Sequence, residues 1–225
     1  MVVVMPRDLD ARNLDACIEG CAASHQLLLE TVDMLTTEQF AADSLLPGWS
    51  VRQVVAHLAL NAQSHIHLLS CAGRGEVGEQ YTGGAAGRAA AIEASAAWTD
   101  EFAVKELRRA VYSLEGAWVG ATYDTWNGTG VTASGAVLSM HELPFMRWRE
   151  VVVHLTDMNI GIDYEQWPDF YVRQELERQR MAWAATHGIG LTLIPQAALA
   201  LNDKHRLAWL LQRVEVEGLP LGPGL

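Results

Sequence analysis

The chain has no apolar run of the ~18 residues that a membrane-spanning helix needs. It is also short of positive charge, with 16 Lys and Arg against 27 Asp and Glu and a formal net charge of −11. A phosphate backbone would be repelled on average and counterion release could drive little binding, which argues against nucleic acid as a partner. Anionic membrane surfaces are disfavoured by the same sign of charge. Cysteine is scarce, three in 225 residues, too few and odd in number for a disulfide framework. Glycine (19) and proline (7) are too sparse, and hydrophobic residues at 50% too abundant, for a disordered or collagen-like chain. The apolar start, Met1 to Met5, ends at Pro6 and Arg7, too short and wrongly flanked for a secretion signal. What remains is a soluble globular protein, read as cytoplasmic and as a monomer or weak homodimer.

The length allows one domain, or one with a small appendage. From Leu9 to about Leu35, the residues Leu14, Ile18, Cys21, His25, Leu28 and Val32 recur at three- and four-residue steps, predicting an amphipathic helix. Cys17 and Cys21 read as small buried residues of that helix, with no partner ligands at metal spacing. The pattern ends at Thr36 and Thr37, and a loop is expected through Leu45 to Trp49. Ser50 followed by Gln53 is a capping box, in which the hydroxyl takes an orphaned amide and the Gln side chain reaches back. A second helix therefore starts there and runs to about Cys71, with His57, Asn61 and His65 four apart along a polar stripe. His65 and His67, two apart, cannot share a ligand point and read as surface or loop-facing.

The stretch from Gly73 to Gly87 holds six glycines and reads as a long connection of the kind that borders a site. Helices are expected over Arg88–Ala97 and Glu101–Thr122, and another from near Pro144 to Met158. Between them, Trp126 to Gly130 is turn chemistry, and the stretch to Gly135 reads as a short hairpin or an ordered loop. In the tail, Gly188–Ile194 and Ala197–Leu201 read as short strands and Lys204–Arg213 as a helix, followed by Val214-Glu215-Val216. That predicts a small α/β appendage.

Glu150 and His154, four residues apart, stand about 40° from each other around a helix and can address one point. Spacing alone is weak, since 27 acids and eight histidines in 225 positions give about one such pair by accident. Context adds more, because a Glu followed by Val151, Val152 and Val153 on a core helix is expensive to bury ionised without a cation or hydrogen bonds. His57, set among Val54, Val55 and Leu58, offers a third ligand, and two imidazoles with one carboxylate suit zinc with an open fourth position. The opposing reading makes His57 and His154 hydrogen-bonded core histidines and pairs Glu150 with Arg147 or Arg149.

The segment Leu46-Pro47-Gly48-Trp49-Ser50-Val51-Arg52-Gln53-Val54-Val55-Ala56-His57-Leu58-Ala59 resembles the signature of the mycothiol-dependent maleylpyruvate isomerase family. A second block, Met146-Arg147-Trp148-Arg149-Glu150-Val151-Val152-Val153-His154-Leu155-Thr156-Asp157, resembles the other half of its metal site. The resemblance covers about residues 10–170 and, more faintly, Leu207 to Arg213. It implies a mainly α protein: a DinB-like four-helix bundle over 1–165 that binds one divalent metal, usually zinc, and a small α/β domain over 166–225. It assigns His57, Glu150 and His154 as metal ligands and Asn61 as a second-sphere or substrate contact. Arg88 falls at the family's catalytic arginine, across a one-residue gap. Arg213 falls at a substrate-binding arginine that the family flanks with glycine, whereas Gln212 and Val214 flank it here.

Such a site implies thiol chemistry, with mycothiol as cofactor or cosubstrate. A free thiol of pKa near 8.5 is only a few per cent ionised at neutral pH, and a bound divalent ion favours the thiolate. Counting the three ligands, the centre carries about +1 before a thiol binds and about zero after. The thiolate would add to the cis double bond of maleylpyruvate, allow rotation, and leave again to give fumarylpyruvate. Arginine suits enolate stabilisation, assigned to Arg88, and carboxylate pairing, assigned to Arg213. An electrophile that retains the thiol would make the protein an S-transferase acting on a xenobiotic or natural-product intermediate. A non-catalytic metal- or ligand-binding stress protein is a third reading, favoured by loss of any of the three ligands, all of which are present.

Overall fold

The computed structural model describes residues 6–186 and 194–224. They divide into two compact units, Met1–Ile160 and Gly161–Leu225.

The first unit opens with α1 (Pro6–Asp33) and a five-residue α2 (Thr37–Ala41). It continues with α3 (Val51–Gly73), α4 (Gly84–Ser95), α5 (Asp100–Gly120), α6 (Tyr123–Trp126) and α7 (Leu143–Asp157). Both α1 and α3 pack against α5 and α7, so these four long helices form a bundle with α1 and α3 on one diagonal. The expected four-helix bundle is present.

Helix starts follow the capping chemistry in the sequence. Ser50 and Gln53 form the expected reciprocal pair at the head of α3. Thr99 caps α5, where Asp100 and Glu101 complement the helix dipole. Helix α2 was not expected; Thr36 and Gln39 form a second capping box there, and Phe40 buries its ring. Cys17, Cys21 and Cys71 are all free and buried.

Gly20, inside α1, has a packing reason. A Cβ there would lie 2.2 Å from the Trp148 ring, so glycine lets the indole of α7 lie directly on the α1 backbone. Trp148 Nε1 donates to Ser24 Oγ at 2.8 Å one turn on.

The segment after α3 contains β1 (Gly78–Glu79), which pairs in parallel with β2 (Thr129–Val131); β2 pairs antiparallel with β3 (Val137–Ser139). The hairpin reading of the stretch after Trp126 therefore holds. The sheet lies on α3, close enough that a Cβ on Gly130 would sit 2.7 Å from Leu68 Cδ2. Helix α3 is thus covered by α5, α7, α4, α6 and the sheet. That corrects the expectation for His65, which is 1% exposed, whereas His67 is exposed as expected.

The second unit holds α8 (Asp169–Thr186), α9 (Gln196–Leu199) and α10 (Asp203–Leu210). The strand expected over Ala197–Leu201 is instead one helical turn, with Pro195 O accepting from the amides of Ala198 and Leu199. Its alanines and leucine favour helix over strand. The helix expected from Lys204 starts at Asp203, capped by Asn202, and ends before Gln212, which takes φ +59°. Val214-Glu215-Val216 forms no strand. The strand expected over Gly188–Ile194 lies outside the described residues except for Ile194. Among the described residues no helix is long and apolar enough to cross a membrane.

Candidate metal centre

Helix α3 contributes His57 from its second turn, and α7 contributes Glu150 and His154 from one face, a turn apart. His57 pairs with Glu150, while Asn61, one turn later on α3, pairs with Arg147, one turn earlier on α7. The order reverses along the chain, so the two helices run antiparallel.

His57 Nε2 is 2.9 Å from Glu150 Oε2, and His154 Nε2 is 3.5 Å from the same oxygen. The two imidazole rings meet edge to face with centroids 4.9 Å apart. One donor atom from each of the three residues lies within 4.8 Å of the other two. Donors held tetrahedrally by one ion at roughly 2.0–2.1 Å stand about 3.3 Å from each other, so the observed spacing fits a single ion after small adjustment.

The protonation pattern points the same way. His154 Nδ1 is 2.7 Å from Asp157 Oδ2, a fully buried carboxylate. That bond puts the ring proton on Nδ1 and leaves the Nε2 lone pair facing a Glu150 oxygen. Two acceptors face to face call for a cation between them, either a proton or a metal ion. Burial pushes the Glu150 carboxyl up, but hydrogen bonds from His154 and His57 outweigh it and hold the group well below the usual carboxylate range. Burial draws His154 down, yet its bonds to Asp157 and Glu150 raise it above an ordinary imidazole. At His57 burial wins and the imidazole is lowered.

Asp157 adds a second carboxylate to the three converging groups. With that carboxylate ionised, the four groups carry about −2 when both rings are neutral, which a divalent ion balances to about zero before any thiol binds. His57 Nδ1 is buried without a partner, so its ring is held by Glu150 and by the edge contact of Trp49, centroids 5.6 Å apart. The loop carrying Trp49 is fixed to the end of α7, where Leu45 N donates to Asp157 O at 2.8 Å.

Glu150 does not pair with Arg147, which is bonded to His25, Leu58 and Asn61. Arg88 lies near the start of α4, partly buried and without an ion-pair partner among the described residues, and its charge opposes protonation of His57. Arg213 belongs to the second unit, where its Nη1 donates to Leu211 O at 2.7 Å. Sequence reasoning gave no role to Asp157 or Tyr81, and gave Arg147 only that of a partner for Glu150 in the opposing reading. For Asp157 a signal existed: its three-residue spacing from His154 on one helix.

The family model described as the mycothiol maleylpyruvate isomerase N-terminal domain matches residues 21–159. A crystal structure of the mycothiol-dependent maleylpyruvate isomerase superposes with a TM-score of 0.72 at 22% identity, over 77% of this chain and 72% of that one. A histidine-to-alanine mutant of a mycothiol-dependent maleylpyruvate isomerase gives 0.84 at 19% identity, over 94% and 97%. YfiT from Bacillus subtilis, a four-helix bundle of unusual topology, gives 0.53 at 16% identity, over 71% and 90%. At these identities the solved structures establish the fold. No curated protein sequence matches. The family model spans more than half of the chain and contains all three converging donors, and the chain belongs to the mycothiol maleylpyruvate isomerase N-terminal domain family.

Proposed function

We propose that the protein is a zinc- and mycothiol-dependent enzyme that isomerises maleylpyruvate to fumarylpyruvate. The observation that carries this reading is the approach of His57, Glu150 and His154 to within 4.8 Å of one another in a chain of this family. A divalent ion held there lowers the pKa of a thiol placed against it, so that thiolate is available at neutral pH.

The chain's own residues do the rest. Asp157 fixes the His154 tautomer, and Glu150 supplies the anionic donor between two neutral rings. The thiolate sulfur bonds to the alkene carbon β to the substrate ketone, and the π pair moves to the ketone oxygen. Arg88, without an ion-pair partner among the described residues, stabilises that oxygen. After rotation about the new single bond, the pair returns, the carbon–sulfur bond breaks, and thiolate leaves unchanged. Arg213 pairs with a substrate carboxylate on the family pattern, and Asn61 supports the site from α3.

A thiol S-transferase is the second reading, and the setting of Arg213 favours it, because Gln212 and Val214 stand where the family pattern has glycine. Gln212, however, takes φ +59°, the left-handed conformation that glycine adopts freely, which favours the isomerase. The test is a maleylpyruvate turnover assay on chelated and on zinc-reloaded protein, with and without mycothiol. Fumarylpyruvate formed only with both present, and thiol conserved, is the expected result. Unchanged maleylpyruvate in the fully supplied reaction overturns it, and stoichiometric consumption of thiol by an electrophile establishes transfer instead.

A further inference from the structure

Arg147 is 0% exposed and carries a permanent charge. A buried cation is ordinarily held by a carboxylate. Among the described residues none lies within ion-pair distance of this one, and its three acceptors are all neutral. Nε donates to His25 Nε2 at 3.0 Å, and Nη1 donates both to Leu58 O and to Asn61 Oδ1 at 2.8 Å.

Because a guanidinium only donates, His25 Nε2 must be the lone-pair nitrogen and the ring proton must sit on Nδ1. That proton is donated to Glu115 Oε1 at 2.9 Å. Glu115 is on α5, His25 on α1, Arg147 on α7, and Leu58 with Asn61 on α3. A single chain of hydrogen bonds therefore ties all four helices of the bundle together at one level. That level adjoins the candidate metal centre, since Leu58 follows His57 directly and Glu150 lies one turn after Arg147 on α7.

We propose that Arg147 is a positioning residue: its guanidinium fixes α7 against α3 and so sets the separation of the His57 and Glu150 donors. The inference rests on the metal-centre reading above. Arg147 itself is too deeply buried to touch substrate. Apolar packing between α3 and α7 tolerates sliding by fractions of an ångström, whereas a group bonded to a backbone carbonyl beside one ligand removes that freedom. Glu115, reaching Arg147 through His25, holds the His25 proton on Nδ1 and so keeps the acceptor that orients the guanidinium.

The test uses cobalt(II), whose visible absorption reports coordination geometry, titrated into the chelated full-length protein. Wild type binding one equivalent, and His57→Ala binding none, tests the metal centre by itself. Arg147→Met is expected to stay helical by circular dichroism, to weaken cobalt binding about tenfold or more and to shift the visible bands. Glu115→Gln, far from the ligands in sequence and partly exposed, is expected to move both readouts in the same direction by a smaller factor. A merely structural role lowers the melting temperature and leaves the cobalt spectrum alone.

If wild type binds cobalt and folded Arg147→Met matches it in affinity and spectrum, the positioning role is overturned while the metal centre stands. If wild type binds none, the metal-centre reading fails and the positioning role with it. Should Arg147→Met not fold, Glu115→Gln and Asn61→Leu decide: spectra unchanged in both overturn the role, and shifted spectra support it.

Discussion

One carboxylate oxygen of Glu150 faces two imidazoles, His57 Nε2 at 2.9 Å from α3 and His154 Nε2 at 3.5 Å from its own helix. Removing either ring takes away one of three donors, and two donors do not hold a divalent ion in a partly open site. His57→Ala and His154→Ala are each expected to lose most bound zinc and all thiol-dependent turnover while far-UV circular dichroism stays close to wild type. Elemental analysis of purified protein reads the outcome. Stoichiometric zinc in both variants would remove these residues from the ligand set.

Asp157 acts on the same centre from one step further out. Its carboxylate accepts the His154 Nδ1 proton at 2.7 Å, and an amide in its place can present its NH2 group to that nitrogen and favour the wrong tautomer. Asp157→Asn is expected to weaken zinc affinity by about 10- to 100-fold, read by competition with a chromophoric chelator. An unchanged affinity would mean that the tautomer is set by something other than Asp157.

Local chemistry made much of this fold readable in advance. The start of α3 followed from Ser50 and Gln53, and the facing of Glu150 and His154 from the turn of a helix. The same capping logic at Thr36 and Gln39 does not announce a helix in the sequence, because α2 is five residues long and buries only Phe40, too short to show a period. His65 departs from its sequence expectation for a different reason. The stripe His57, Asn61, His65 is polar, and polarity on one helix face ordinarily means solvent, but on α3 that face turns into the bundle, while His67 and Ser70 on another side are left to water. The approach of His57 to the Glu150 pair, 93 residues apart in sequence, depends on how α3 packs on α7 and has no fixed spacing to read. Arg147 shows the limit most clearly. Its partners come from α1 and α3, and nothing near it in sequence marks it as different from Arg149.

Arg88 separates metal binding from catalysis. It is not among the donor atoms and has no ion-pair partner among the described residues, so its positive charge is available to an anionic oxygen of the substrate. Arg88→Ala is expected to lower kcat by about 100-fold, the scale for removing one group that stabilises a developing oxyanion, with zinc content unchanged. Loss of zinc in parallel with activity would show that Arg88 serves the centre's structure.

Gly20→Ala opposes two effects within α1. Helix propensity alone favours alanine by about 1 kcal/mol. Against that, the added Cβ would lie 2.2 Å from the Trp148 ring, and Trp148 cannot retreat without giving up the bond from Nε1 to Ser24 Oγ. Overpacking of this kind typically costs about 1–3 kcal/mol, so the net change is destabilising. Urea denaturation is expected to show a lower midpoint for Gly20→Ala with an unchanged slope, and a midpoint at or above wild type would show that α1 and α7 can separate freely.

His65 and His25 give the bundle an acid limit of its own. Burial lowers His65 from 6.5 to about 3, with Arg147 adding to the effect, and burial lowers His25 to about 4. The folded state therefore favours both rings neutral. Above about pH 6.5 neither state binds these protons and the full stability is present. As the pH falls from 6.5 towards 4, the unfolded chain takes up protons that the folded chain refuses, and stability declines. For His25 the drop from 6.5 to about 4 corresponds to about 3 kcal/mol. His154, raised above its ordinary value, acts in the opposite direction but at higher pH: its stabilisation grows as the pH falls through that raised value, is complete below about 6.5, and offsets part of the loss. Chelated wild-type protein is expected to melt at progressively lower temperature from pH 7 to pH 5. His65→Leu, which fills a similar volume and cannot titrate, is expected to lose less over that interval, because one of the refused protons is gone. If the melting curves of the variant and of wild type shift in parallel with pH, His65 is not a source of the acid sensitivity.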